Sequence, residues 1–264
     1  MKKLLGFSIF LVFVLIASLT AEAKVTLPAI FSDNMVLQQN TQVNVWGKAA
    51  PGEKVTVKAS WLDKAVTAKA AANGKWTVKL KTPKATTNQS VTVSGENEIT
   101  INNILIGEVW LCTGQSNMEF PVSRHPDVKW NTGMLNEAEE LKDADYPEIR
   151  LFHVKHQLAH EGELDDCEGE WLVCNPKNLY DFSAVGFVFG RKLYKELKMP
   201  VGLIQSTWGG THAESWTKLD VMKKNPLYAD VLKDFALEGV KQQKNYCKVP
   251  ATLWNGMIHP ILGY

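Results

Sequence analysis

The residues best suited to chemistry lie in a short loop that follows an apolar run. The segment GQSN at positions 114–117 is separated from the run VWLC only by Thr113 and places Ser116 on a tight turn. A serine so placed after a buried strand holds its hydroxyl at the edge of a sheet, where backbone N–H groups can stabilise a tetrahedral intermediate. The segment is not the G-x-S-x-G elbow of α/β-hydrolases, because Met118 occupies the last position. A Ser/Asn turn that only caps a helix is the alternative interpretation.

A second loop, WGGT at positions 208–211, follows another apolar run. Its paired glycines, Gly209 and Gly210, allow a ligand to approach the backbone and offer N–H groups to an anion or oxyanion. They are also compatible with a tight turn from a strand to a helix. Because the carboxyl ends of parallel strands meet at one edge of a sheet, we expect the two loops to lie together.

The histidine spacing is less informative. His153, His156 and His160 resemble a metal-binding cluster, but a strand would point the first two to opposite faces. A partly solvated strand and loop is therefore favoured, and no metal or cofactor is predicted. No aspartate in the chain is followed three residues later by a histidine.

The elements that position the two loops follow from the pattern of residues 107–264. Short buried strands are predicted at 108–112, 149–154 and 201–205, with a helical stretch at 134–142. A stronger helix signal begins at Ser183, a plausible N-cap, and ends before Pro200. Its predicted apolar face consists of Phe182, Val185, Phe189, Leu193 and Leu197. Alternating strands and helices predict a parallel sheet.

Residues 24–106 have the period of two that is typical of strands. Pairs such as Val43 with Val45 and Val55 with Val57 alternate with polar neighbours, and turn sequences separate the runs. Short strands at this spacing predict an antiparallel β-sandwich. It holds no cluster of catalytic residue types, which favours a role in packing or substrate presentation.

The composition limits the compartment and the partners. Residues 1–23 have the basic start, apolar run and small-x-small end of a secretory signal peptide, which predicts a secreted or periplasmic protein. Removing it takes the net charge from +1 to zero. A neutral chain without a basic stripe argues against nucleic acid or an anionic membrane as partner. Nine tryptophans suit a protein that handles sugars, although core packing explains any single one equally well.

Four cysteines remain after such cleavage. Cys167 and Cys174 are seven residues apart and could close a small loop, whereas Cys112 lies in an apolar run that is typical of a buried thiol. The even number allows disulfide bridges but does not establish them.

Several segments together carry a family resemblance. The segment GEVWLCTGQSNME at 107–119 closely resembles the first sequence block of sialate O-acetylesterases and related carbohydrate acetylesterases of the SGNH hydrolase superfamily. Segments at 182–191, 201–211 and 253–260 agree in order, and 27–38 resembles the family's β domain. The resemblance implies a flavodoxin-like, three-layer α/β/α domain from residue 107 onward, which follows the β-sandwich in the chain.

The resemblance also implies a serine esterase that removes O-acetyl groups from sugars. Ser116 would be the nucleophile, and its own N–H would form the oxyanion hole with an N–H from Gly209 or Gly210, of which Gly210 is preferred. The remaining residues expected to shape the loop or bind substrate are Gln115, Asn117 and Trp208.

The family pattern has two further parts that these 264 residues lack. The family supplies an Asn oxyanion donor after a fourth strand, and a late Asp-x-x-His supplies the base. The expectation is an N-terminal portion of an SGNH domain with little or no activity, in which neither His125 nor His212 substitutes for the base. In the usual 2-1-3-4-5 strand order, the strand at 201–205 would keep an unpaired edge, so the chain is expected to be marginally stable or prone to aggregation.

Two other functions fit the same residues. One is a non-catalytic sugar-binding or scaffold protein that keeps the glycine loops. The other is an acetylesterase acting on plant polysaccharide such as xylan or pectin, which a nucleophilic serine does not distinguish from a sialate esterase. The sequence leaves the sugar, the acetyl position and the oligomeric state open.

Overall fold

The computed structural model describes residues 24–127, 133–238 and 247–264, so the predicted signal peptide lies outside the described residues. The strands are β1 (Val36–Gln38), β2 (Gln42–Lys48), β3 (Lys54–Ala59), β4 (Val66–Lys69), β5 (Lys75–Lys81), β6 (Thr86–Ser94), β7 (Glu98–Gly114), β8 (Tyr146–His153), β9 (Trp171–Cys174) and β10 (Val201–Thr207). The helices are α1 (Ser116–Glu119), α2 (Glu137–Lys142), α3 (Pro176–Leu179), α4 (Ala184–Leu197), α5 (Leu219–Lys223) and α6 (Ala229–Glu238). Short non-α turns cover Ala213–Trp216, Pro226–Tyr228, Trp254–Ile258 and His259–Ile261.

The N-terminal strands form two antiparallel pairings around one core. β2 pairs with β5 as a separate ribbon, while β3 pairs with β4 and β6 in the large sheet. The inward side chains of both sheets, such as Val45 on the ribbon and Val57 on β3, are fully buried in one cluster. The predicted alternation is confirmed in these strands. β1 and β4 are additional strands that the sequence pattern did not indicate, and β1 pairs with β7 in parallel.

The 17-residue strand β7 belongs to both parts of the chain. Its first half pairs antiparallel with β6, and its second half pairs in parallel with β10. The predicted boundary between residues 106 and 107 therefore falls inside one continuous strand. The mixed α/β architecture around a central sheet is confirmed, and the division into two domains stays a prediction.

The predicted position of the third parallel strand is wrong. The sheet order is β4-β3-β6-β7-β10-β8-β9, so β10 lies between β7 and β8 and has both edges paired. All seven residues of β10 are buried, which suits a central strand covered on both faces. The unpaired edge belongs instead to the second half of β7, where no strand of the described residues pairs opposite β10.

Helix α4 begins and ends as predicted but buries a partly different face. The Ser183 hydroxyl accepts a hydrogen bond from the Gly186 N–H at 3.0 Å, which confirms the N-cap. The predicted apolar face is wrong in part. Phe182 and Leu193 join the core as predicted, but Val185 and Phe189 are 51% and 39% exposed, whereas Phe187 is fully buried. The reason is close packing through glycine. A Cβ on Gly190 would lie 2.5 Å from a Leu203 methyl group, so the helix rests on β10 through its glycine side.

All four cysteines are free thiols. Cys167 and Cys174 lie in different hydrophobic clusters, so the small loop that their spacing allowed is not closed. Burial raises the pKa of both thiols to about 12 and that of Cys112 to about 11, so all three remain protonated at neutral pH. No helix in the three described ranges is long and apolar enough to cross a membrane.

Candidate active site

The two predicted loops meet at one edge of the sheet. β7 ends at Gly114 and β10 ends at Thr207, and these two residues are partners in the parallel register. The Trp208 N–H donates to the Gly114 carbonyl at 3.1 Å, which joins the loops where they leave the strands. The expectation that both loops lie at the carboxyl ends of neighbouring strands is confirmed.

Ser116 is the first residue of the single-turn helix α1 and is exposed. Gly114 adopts a φ of +146°, which favours glycine and lets the chain turn sharply out of β7. The Ser116 hydroxyl donates to the Gln115 side-chain oxygen at 3.3 Å. Because the first amides of a helix have no acceptor within it, the Ser116 N–H is available to a ligand.

The glycine loop lies directly against the serine. A Cβ built on Gly209 would lie 3.6 Å from both Cα and Cβ of Ser116. The Gly209 N–H already donates to Glu119 Oε2 at 2.6 Å, which occupies it. Gly210 has a φ of +73°, and a Cβ built on it would have no other atom within 4 Å. Its N–H has no hydrogen-bond partner among the described residues. Of the two glycines, Gly210 therefore has the N–H that is free for an oxyanion.

Glu119 connects three parts of the site. Besides Gly209, its carboxylate contacts His156 Nε2 at 2.8 Å, and the same nitrogen lies 2.9 Å from the Thr207 carbonyl oxygen. Both partners of Nε2 are acceptors, so this nitrogen carries the proton. Burial opposes ionisation of Glu119, but the hydrogen bonds from His156 and Gly209 outweigh it and lower its pKa below the usual value. The carboxylate is therefore ionised at neutral pH.

The His156 imidazole stacks on the Trp208 indole, with ring centroids 4.0 Å apart and an interplanar angle of 6°. These rings close one side of a cavity of about 510 Å³. The cavity is lined by Ser116, Glu119, His156, Trp208, Gly209 and Gly210.

The structure thus brings together four of the six residues expected from the sequence: Ser116, Trp208, Gly209 and Gly210. Gln115 reaches the site through its contact with the serine hydroxyl, whereas Asn117 is exposed and does not line the cavity. Glu119 and His156 were not among the expected site residues. Glu119 is the last residue of the block that carries the family resemblance, which could have indicated it. His156 follows a strand end and was singled out only within a histidine spacing, which gave no indication that it lies beside Ser116.

The other histidines do not join this cavity. His125 Nε2 lies 2.6 Å from Asp181 Oδ1, and His160 lies against the Thr252 hydroxyl. Burial, together with the nearby His156, lowers the pKa of His153. Within the described ranges, no group of three or more potential metal ligands comes together.

Comparisons with known proteins identify the family of the chain. A family model described as a carbohydrate esterase, sialic acid-specific acetylesterase, matches residues 106–256. The chain is 30% identical to the sialate O-acetylesterase of Mus musculus, covering 88% of this chain and 49% of the relative. The human sialate O-acetylesterase is also 30% identical, with coverages of 87% and 45%.

A solved structure of a carbohydrate acetylesterase from Xanthomonas citri superimposes with a TM-score of 0.74 at 30% identity. The match covers 90% of this chain and 48% of that one. The family model and the superimposed structure both belong to the class of carbohydrate esterases. More narrowly, the chain belongs to the sialic acid-specific acetylesterase family. It spans about half the length of the relatives that it matches.

Proposed function

We propose that this chain carries the serine and glycine loops of a carbohydrate O-acetylesterase of the sialate type, with Ser116 as the nucleophile. The observation that supports it most directly is the approach of Gly209 and Gly210 to Ser116 at the ends of two paired parallel strands. The names of the matched relatives support a sialic acid ester as the substrate. The proposed location is outside the cytoplasm, on the basis of the sequence of residues 1–23.

In the proposed reaction, Ser116 Oγ attacks the acetyl carbonyl carbon and loses its proton to a base. The carbonyl oxygen becomes an oxyanion, which accepts hydrogen bonds from the N–H groups of Ser116 and Gly210. The C–O bond to the sugar then breaks, and the sugar oxygen takes up the proton. Water subsequently attacks the acetyl-serine, which releases acetate and restores the hydroxyl.

The base is assigned through the family resemblance to an Asp-x-x-His, a motif that the 264 residues do not contain. A serine without its base is a weak nucleophile, although oxyanion stabilisation alone retains part of the rate enhancement. We therefore propose that the chain by itself hydrolyses acetyl esters slowly or not at all. His125 does not line the serine cavity, and neither does His212, which fits the expectation that they do not replace the base.

A serine-directed fluorophosphonate tests the nucleophile by mass spectrometry of the labelled peptide. We expect covalent labelling at Ser116 that is lost in Ser116→Ala and kept in Ser60→Ala, a change at an exposed serine of the β part. The longest available gene product that contains this chain should be labelled faster than the 264 residues alone. Absence of labelling at Ser116 in both proteins would overturn the proposal and favour a non-catalytic sugar-binding protein.

A further inference from the structure

A second cavity, of about 660 Å³, lies away from the serine. It is formed by the outer face of the β2–β5 ribbon, the loop at residues 165–166 and the last residues of the chain. None of its lining residues lines the cavity around Ser116. Its volume is in the range of known small-molecule sites.

An indole ring forms part of the cavity wall. Trp46 is half-buried and lies opposite Thr77 on the neighbouring strand. Its ring is held edge-to-face against Phe31, with centroids 4.6 Å apart, and Gly263 packs near the six-membered ring. A flat, rigid aromatic surface of this kind is suited to the apolar C–H face of a pyranose ring.

The charges around the cavity are already paired. Asp165 accepts from Lys75 and contacts Lys48 Nζ at 3.0 Å, and these lysines lower its pKa. Asp166 accepts from the backbone N–H of Ala29 at 2.9 Å. Lys48 and Lys75 share the Asp165 carboxylate, and Asp166 makes the lysines and aspartates of the lining equal in number. These four groups together leave no net positive charge to attract the carboxylate of an acidic sugar.

From these features we propose that the cavity is a non-catalytic sugar site that takes a neutral pyranose unit of a glycan. The assignment rests on the proposed function, because the β part would then bind the same glycans whose acetyl esters are hydrolysed at Ser116. The indole of Trp46 binds the ring face, and the paired charges and Asn44 on the rim bind hydroxyls.

Isothermal titration of the full chain with methyl galactoside, methyl glucoside, methyl xyloside and N-acetylneuraminic acid tests the site. We expect at least one neutral glycoside to bind with a Kd on the order of 1 mM, and N-acetylneuraminic acid to bind at least about tenfold more weakly at this site. Trp46→Ala should weaken the neutral sugar about tenfold or more. Thr77→Arg introduces a long side chain into the cavity from an exposed position without changing the core. It should also weaken binding of the neutral sugar about tenfold or more.

Thr67→Arg, at an exposed position on β4 outside the cavity, is the matched control and should leave the Kd unchanged. The proposal is overturned if none of the neutral glycosides binds at about 20 mM, which is roughly 20 times the expected Kd. It is also overturned if a neutral glycoside binds and Thr77→Arg leaves that binding intact. Ser116→Ala separates the two proposals. If Ser116→Ala still binds the sugar and the phosphonate does not label the wild type, the proposed sugar site is supported and the proposed esterase activity is overturned.

Discussion

At the scale of single residues, Glu119 does most to hold the serine site together. One of its oxygens accepts from the Gly209 N–H, and the other contacts the His156 imidazole that stacks on Trp208. The bond to Gly209 fixes the loop that presents the Gly210 N–H. Glu119 is therefore inferred to be a positioning residue, which acts through the glycine loop and the imidazole rather than on the ester.

Removing this carboxylate should loosen the glycine loop. In Glu119→Ala, we expect the Gly209 amide hydrogen to exchange with solvent about tenfold faster or more, because a hydrogen bond to a charged acceptor is lost. NMR-detected hydrogen exchange measures this rate. Glu137→Ala removes a carboxylate that accepts from the Arg124 N–H elsewhere, and it is the control that should leave Gly209 unchanged. Equal exchange at Gly209 in all three proteins would contradict the positioning role.

The lowered pKa of Glu119 also predicts a dependence of stability on pH. A carboxyl group whose pKa is lower in the folded state stabilises the fold above its ordinary value of 4.5. That contribution is lost as the pH falls through the lowered value. The difference in free energy of unfolding between wild type and Glu119→Gln should therefore shrink as the pH drops below 4.5. Urea unfolding at several pH values measures it, and a constant difference would argue against the assignment.

At the scale of elements, α4 and β10 are joined by glycine packing. A Cβ on Gly190 would come within 3.0 Å of three side-chain atoms of Leu203, which is fully buried. Gly186 is less crowded, because the nearest atom to its Cβ would be the Cys112 sulfur at 3.1 Å.

We therefore expect Gly190→Ala to destabilise the chain by about 1–3 kcal/mol despite the better helix propensity of alanine. Gly186→Ala should cost less. Urea unfolding followed by circular dichroism compares them. A Gly190→Ala protein as stable as wild type would show that the helix can move away from the sheet without loss.

The same two elements show what the sequence can predict. Ser183 and Pro200 bound α4 correctly, because capping and the ring of proline act locally. The buried face was predicted only in part, since apolar side chains such as Val185 outweigh glycine in any hydrophobic pattern, whereas glycine determines the closest approach. Strand order is likewise set by pairing between distant segments, which local patterns do not encode. In the site, the glycine-loop residues were predictable from a motif, and His156 was not.

At the scale of the whole molecule, the free edge of β7 carries an apolar surface. Trp110 and Leu111 on this edge are 41% and 46% exposed, and Phe189 of α4 packs edge-to-face on Trp110 with ring centroids 5.0 Å apart. An unpaired strand edge beside exposed aromatic groups favours association with another strand. The expected tendency to aggregate thus stays a prediction, now placed on β7 instead of β10.

Lysine substitutions on this edge should reduce self-association. We expect the wild-type chain to sediment as larger species at increasing concentration, and Trp110→Lys combined with Leu111→Lys to remain monomeric. Leu227→Lys, at a residue 87% exposed elsewhere, is the control that should behave as wild type. Sedimentation velocity over a concentration series makes the comparison. A wild-type chain that is monomeric throughout would contradict the prediction.

The continuity of β7 has a consequence for how disturbances spread through the molecule. Its first half is locked by β6 in the antiparallel part, and its last residue leads directly into the turn that carries Ser116. We therefore expect a loss of order in the β part, caused by heat, a protease or a mutation, to loosen the backbone that leads into the Ser116 turn. The antiparallel strands are thus expected to anchor the Ser116 turn, so that a disturbance far from this turn displaces the Ser116 hydroxyl.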